Sequence, residues 1–206
     1  MASVKQAKSV LRQQIKQTLK SLSQHDKDMQ SAIIHHKVLA SDVYKSSQRI
    51  SIFLPINDEV NTLPILKSML ESGKQCFIPH CQGQDMIMVP LESWEAFEKL
   101  PSNSWGIKQP TEFDASQDAI NSGGLDLVFM PGLAFTQRGA RLGRGKGYYD
   151  KYLRKCADAG RMPYTEALIF RQQVIDDIPT QDHDILIDSL IYPTQQDLEA
   201  FSHSSK

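Results

Sequence analysis

Leu125-Asp126-Leu127-Val128-Phe129-Met130-Pro131-Gly132 leads into a segment that ends Arg141-Leu142-Gly143-Arg144-Gly145-Lys146-Gly147-Tyr148-Tyr149-Asp150. Residues 125–130 form an apolar run stopped by proline and glycine, the pattern of a buried strand. From Gly147 to Ala157 the residues read as a helix. The connection between them is unusual in composition. Five of the eleven glycines fall between residues 131 and 150, and Arg138, Arg141, Arg144 and Lys146 lie within nine residues of one another. A strand feeding a helix through such a connection is the repeating unit of an α/β fold.

The rest of the chain extends this unit in both directions. Upstream, Val4, Ala7, Leu11, Ile15, Leu19 and Leu22 recur every three or four residues and predict an amphipathic helix, whose other face carries Lys5, Lys8, Arg12, Lys16 and Lys20. Ser23, with Asp26 three residues later, predicts the cap of a second helix, with Met29, Ile33 and Val38 facing inward. Arg49 to Pro55, Gln75 to Pro79 and Met86 to Pro90 read as strands. Asn61-Thr62-Leu63-Pro64 reads as the entry to a helix that stops at Gly73, and a weaker helix covers Ser93 to Leu100. Downstream, Ala167 to Phe170 and Ile185 to Tyr192 read as the last strands, and the polar tail after about residue 194 as loose chain. The expectation is one domain over 1–206, a three-layer α/β/α arrangement around a mainly parallel sheet. In such sheets ligands bind beyond the carboxyl ends of the strands, here after Leu54, Pro79, Met130 and Phe170.

Composition narrows the functional classes. A net charge of -1 gives no overall field for nucleic acid, so an anion site has to come from local clustering. Three cysteines, Cys76, Cys81 and Cys156, form no C-x-x-C pair, which argues against zinc and disulfides and for reduced thiols. No apolar run reaches the roughly 20 residues needed to span a bilayer. The expected location is cytoplasmic. The first residues carry no secretory signal, but they are basic and acid-poor as far as Asp26, so a mitochondrial form stays open. A monomer is the expected state.

The glycine-rich connection carries the chemistry. Glycines let backbone N–H groups approach a ligand, arginine forks onto phosphate oxygens, and a helix starting near Gly147 points its positive end the same way. Together they predict a polyphosphate cradle, with Asp150 placed to hold a hard cation such as Mg²⁺. The segment has no G-x-x-x-x-G-K-[ST], and Gly143, Gly145 and Gly147 alternate instead of forming G-x-G-x-x-G, which disfavours ordinary kinases and dinucleotide dehydrogenases.

Arg141 to Asp150 resembles the signature of the 5-formyltetrahydrofolate cyclo-ligase (methenyltetrahydrofolate synthetase) family. Further matches fall in that family's order: Lys8 and Arg12, Ile52-Phe53-Leu54 before Glu59-Val60-Asn61-Thr62, Trp105-Gly106-Ile107 before Pro110, Met130 to Phe135, and Ile178-Pro179 before His183-Asp184. The resemblance implies a NagB/RpiA/CoA-transferase-like fold. It implies ATP bound by Lys8, Arg12, Arg141, Leu142, Gly143, Arg144, Gly145, Lys146, Gly147, Tyr148 and Tyr149, and Mg²⁺ held by Asp150 and Asp184. It places the folate against Leu54, Glu59 and residues 144–148, with Met86 and Trp105 as apolar contacts. The implied reaction cyclises 5-formyltetrahydrofolate to 5,10-methenyltetrahydrofolate through an N5-iminium phosphate, releasing ADP and phosphate. Arg144 and Lys146 are then the expected catalytic cations, with only small-molecule partners. The alternatives are a non-catalytic folate- or nucleotide-binding regulator of the same family, a phosphosugar enzyme on a similar scaffold, and an RNA binder using the Gly/Arg loop. The near-neutral charge speaks against the RNA binder.

Overall fold

The computed structural model describes residues 3–102, 106–181 and 184–204. The chain opens with α1 (Val4–Ser21), capped by Ser3, whose hydroxyl accepts the Gln6 N–H. The predicted apolar stripe buries Ile15 and Leu19. The second helix, α2 (Gln24–Ala40), begins as its sequence signal predicts: the Ser23 hydroxyl accepts the Asp26 N–H at 3.1 Å and donates to the Asp26 carboxylate at 2.6 Å. A short α3 (Asp42–Ser46) leads to β1 (Arg49–Ser51).

Next come α4 (Leu63–Glu71), β2 (Gln75–Gln82), β3 (Asp85–Leu91) and α5 (Trp94–Lys99). Thr62 precedes α4 but does not cap it; its hydroxyl donates to the Phe53 carbonyl at 2.6 Å and ties the helix entry to the end of β1. After two 3-10 turns, β4 (Leu127–Met130) enters the glycine-rich region. That region begins with a hairpin of two short strands, β5 (Ala134–Phe135) and β6 (Arg141–Leu142), paired antiparallel. Its turn needs Gly139, at φ +84, where a Cβ would lie 2.3 Å from the Ile187 carbonyl oxygen. The open loop is therefore only residues 143–147, before α6 (Tyr148–Asp158). The chain ends with β7 (Tyr164–Leu168), β8 (Ser189–Ile191) and α7 (Gln195–Ser204).

Six strands form one sheet in the order β3-β2-β1-β4-β7-β8. The β2–β3 hairpin is antiparallel and every other pairing is parallel, which bears out the mainly parallel sheet. Alternate side chains feed two cores. Ile50, Ile78, Leu127 and Phe129 pack against α1, α2 and α4, while Phe77, Met88, Val128 and Met130 pack with Tyr152, Leu153 and Cys156 of α6. The cysteines are free, and burial pushes the Cys76 thiol up to about 12.

Several expectations need correcting: β1 and β8 cover only three residues each of the runs Arg49–Pro55 and Ile185–Tyr192, and the tail and the seventh strand also differ. The tail is not loose. Thr194 and Asp197 form a reciprocal cap, with the Thr194 N–H and hydroxyl both donating to the Asp197 carboxylate at 2.7 Å, and Lys37 pairs with Asp197 at 2.5 Å to hold α7 against α2. The seventh strand also lies earlier than its apolar run suggests. Ile169 and Phe170 are fully buried just beyond it, and only the Ile169 N–H still reaches the neighbouring strand, at the Ile191 carbonyl 3.1 Å away.

Strand β1 sits between β2 and β4, so the chain leaves it in opposite directions on its two sides. The loop after β1 and the loop after β4 open side by side at the carboxyl ends of the strands. This is the switch point at which open α/β sheets bind ligands.

Candidate active site

The two loops touch. Arg144 Nε donates to Glu59 Oε1 at 3.0 Å, joining the glycine-rich loop to the segment after β1. The Glu59 side chain is only 9% exposed, and a local turn holds it: its Oε2 accepts the Ile56 N–H, and its own N–H donates to the Ile56 carbonyl. Burial pushes its carboxyl above the ordinary range, against the pull of the Arg144 guanidinium.

α1 closes a third side. Lys8 and Arg12 lie one turn apart and so share a face. Arg12 Nε donates to the Gly143 carbonyl at 2.9 Å, and its guanidinium carbon is 3.8 Å from where a Cβ on Gly145 would lie. Gly145, at φ +106, is where the loop needs glycine for its conformation. Lys8 reaches a segment near the other end of the chain, with Nζ 2.5 Å from Asp184 Oδ2. That makes Lys8 a buried member of a face that sequence periodicity assigns to solvent.

The base of the loop is built on Arg141. Its Nη2 donates to Asp150 Oδ2 at 2.7 Å, its Nη1 to the Pro131 carbonyl at 3.3 Å, and its guanidinium lies 5.8 Å from the centre of the Tyr149 ring. Burial pushes the Tyr149 phenol well above its ordinary value, so it stays protonated. Two buried N–H groups in this cluster, Arg141 Nε and Arg144 Nη2, find no acceptor among the described residues. Buried donors without partners are rare and unfavourable, so both are available to an anion.

The structure thus pairs Lys8 with Asp184, Arg12 with Gly143, Arg141 with Asp150 and Arg144 with Glu59 by direct contacts, and sets Arg12 beside Gly145. Gly147 starts α6 in the left-handed region, at φ +70, and Lys146 is exposed. Leu142 is buried in β6, which leaves its backbone as the part open to a ligand. Leu54 and Met86 are 6% and 3% exposed and sit in the two cores. Trp105, and His183 beside Asp184, lie outside the described residues.

Two features had no sequence signal. The Tyr148 hydroxyl donates to the Gly83 carbonyl at 2.8 Å and fastens the tip of the β2–β3 hairpin to the start of α6. A cavity of about 520 Å³ opens beside Glu59, with Gln24, Lys27, Asp28 and Ser31 of α2 forming its far wall. Those four positions read as the ordinary polar first turns of a helix. Only the packing of α2 over the loop after β1 makes them a wall.

Comparison with known proteins identifies the family. Residues 4–193 match the 5-formyltetrahydrofolate cyclo-ligase family. The chain is 47% identical to the mouse 5-formyltetrahydrofolate cyclo-ligase over 193 residues, covering 92% of this chain and 95% of the mouse protein. It is 35% identical to a probable 5-formyltetrahydrofolate cyclo-ligase of Caenorhabditis elegans, covering 93% and 95%. Among solved structures, the Aquifex aeolicus 5,10-methenyltetrahydrofolate synthetase superposes with a TM-score of 0.72 at 25% identity, covering 89% of this chain and 88% of that one. By its glycine-rich loop, its sheet and these relatives, the chain belongs to the 5-formyltetrahydrofolate cyclo-ligase family.

Proposed function

We propose that this enzyme uses ATP and Mg²⁺ to convert 5-formyltetrahydrofolate to 5,10-methenyltetrahydrofolate, releasing ADP and phosphate. The observation that carries the reading is the 3.0 Å contact between Arg144 and Glu59. It puts an acid suited to the donor-rich edge of a pterin beside a cation suited to a phosphoryl group. The two halves of the chemistry then belong to one site.

The formyl oxygen of the substrate is a poor leaving group. It attacks the γ-phosphorus of ATP; the new O–P bond forms as the bond to ADP breaks, leaving an iminium phosphate at N5. N10 then attacks the formyl carbon. The C–O bond breaks with loss of phosphate, N10 gives up its proton, and the five-membered ring is closed. No enzyme nucleophile is needed, so the protein's task is alignment and charge compensation. Arg144, with one N–H unpartnered, and Lys146, exposed on the same loop, are the groups that stabilise charge on the transferring phosphoryl. Lys8, Arg12 and Arg141 hold the rest of the triphosphate, and residues 143–149 supply backbone donors and the start of α6.

The acids fit a hard cation. Asp150 and Asp184 offer carboxylate oxygens, and among the described residues no group of three or more His, Cys, Asp or Glu comes together. Two carboxylates plus phosphate and water oxygens is the donor set Mg²⁺ takes beside nucleotides. When bound there, the ion supplies neutralisation of charge on the phosphate oxygens. A purely regulatory role is disfavoured because all the loop cations and both acids are retained.

The test is an absorbance assay with 5-formyltetrahydrofolate, ATP and Mg²⁺. We expect the methenyl chromophore to appear in the near ultraviolet only when all three are present. A flat trace from folded protein overturns the reading.

A further inference from the structure

Both acids assigned to the metal are already occupied by cations assigned to the nucleotide. Asp184 accepts Lys8 at 2.5 Å and Asp150 accepts Arg141 at 2.7 Å. The two pairs arise independently. One joins α1 to a segment 176 residues away, and the other joins β6 to the first turn of α6. Neither is a loose surface contact, since the Lys8 and Arg141 side chains are 10% and 6% exposed. Arg12, one turn beyond Lys8 along α1, is likewise committed to the Gly143 carbonyl.

We propose that the ligand-free site is self-neutralised and that nucleotide and metal enter it as one unit, by exchange of partners. The inference rests on the functional reading above. A triphosphate arriving without metal has two choices. It can leave Lys8 and Arg141 where they are and lose their charge, or it can take them and strand Asp150 and Asp184 beside its own negative oxygens. A metal ion arriving alone meets carboxylates already compensated, and in taking them it strands two poorly hydrated cations. Breaking a buried pair by removing one member is costly because the other charge is left bare. When both ligands arrive together, the phosphates take Lys8 and Arg141, the ion takes Asp184 and Asp150, and no charge is stranded. The two original pairs become five, counting the contact of ion with phosphate. The affinities are therefore coupled through the protein, reciprocally.

Titration calorimetry without folate tests this on the intact chain, so that turnover plays no part. Three titrations are compared: ATP with EDTA, MgCl₂ alone, and MgATP. We expect MgATP to bind at least about tenfold tighter than metal-free ATP, within the usual range of coupling energies, and MgCl₂ alone to give no saturable heat. Asp150→Asn and Asp184→Asn release Arg141 and Lys8, so each should tighten metal-free ATP by about threefold or more while shrinking the gain from Mg²⁺. Asp58→Asn is the control. It sits next to Glu59 but lies 3.9 Å from Lys27 and contacts no loop cation, so it should change metal-free ATP binding by less than twofold. Thermal melts of each variant check that folding is retained. Equal affinity for ATP and MgATP in the wild type overturns the inference alone. So does unchanged or weaker metal-free ATP binding in Asp150→Asn and Asp184→Asn, or an equal gain in Asp58→Asn. A wild-type chain that binds neither ATP nor MgATP overturns the functional reading, and this inference with it.

Discussion

The Arg141–Asp150 pair allows a quantitative test of how the site is built. Arg141→Met keeps most of the side-chain volume and removes the charge. Asp150 is then left a quarter exposed, so water repairs part of the loss, and the cost should be about 2–3 kcal/mol, below the 3–5 kcal/mol of a fully buried pair. Asp150→Ala leaves a guanidinium that is 6% exposed with no counter-charge, for a cost of about 3–4 kcal/mol. The double variant strands neither charge and should lose about 3 kcal/mol in total, not the 6 kcal/mol of a simple sum, a coupling within the range found for contacting pairs. In a chain of this size each kcal/mol moves Tm by about 2–4 °C, so the single variants should melt roughly 5–15 °C below wild type. The assay is urea unfolding of the ligand-free protein, followed by circular dichroism. If the double variant loses the sum of the two singles to within about 0.5 kcal/mol, the pair is not coupled and the account of the loop's base is wrong.

Three further outcomes are expected. Arg144→Ala should lower turnover by about 10²–10³-fold, the usual loss for a transition-state donor, with an unchanged far-ultraviolet spectrum; undiminished turnover removes Arg144 from the chemistry. Glu166 is 4% exposed and one carboxylate oxygen has no partner among the described residues, so burial pushes its carboxyl up despite the Ser189 hydroxyl bond. An acid raised by folding contributes its stability at low pH and loses it as pH climbs through the folded value. Glu166→Gln should therefore match wild type near pH 4 and exceed it by about 1 kcal/mol at pH 8; a difference independent of pH would refute this. Gly139→Ala adds a Cβ 2.3 Å from the Ile187 carbonyl to the roughly 1–2 kcal/mol cost of the left-handed conformation, whereas Gly73→Ala, with open space around it, pays the conformational term alone. Equal melting points for these two variants would show that the Ile187 contact does not matter.

Much of this architecture could be read from residue spacing because each signal was local. The stripe of α1, the Ser23 cap, and the apolar run of β4 closed by Pro131 each depend on residues within one element. The glycine-rich loop could be read because composition and position agreed. The features that could not be read depend on distant packing. β5 and β6 are two residues long, too short for any periodicity, and form because Leu133, Ala134, Phe135 and Leu142 bury fully. Lys8 looks like every other lysine on its helix, and only Asp184 distinguishes it. The α2 wall opposite Glu59 consists of polar residues that would be unremarkable anywhere else. α7 carried its Thr194–Asp197 cap in plain view, but the polar composition around it masked the signal.

The contacts of α1 also bear on how the molecule is made. Arg12 waits for a carbonyl 131 residues further on, and Lys8 for a carboxylate 176 residues further on. Chains emerge from the ribosome N-terminus first, at about 5–20 residues per second. The first helix therefore leaves the tunnel well before the groups that give it its role exist. Until they arrive, its stripe of Leu11, Ile15 and Leu19 has only a partial sheet to lie on. A message cut short before codon 184 would yield a chain with most of its cations but without the acid that Lys8 needs, and without β8. The fastening of α1 at Lys8 is thus among the later steps in building this fold.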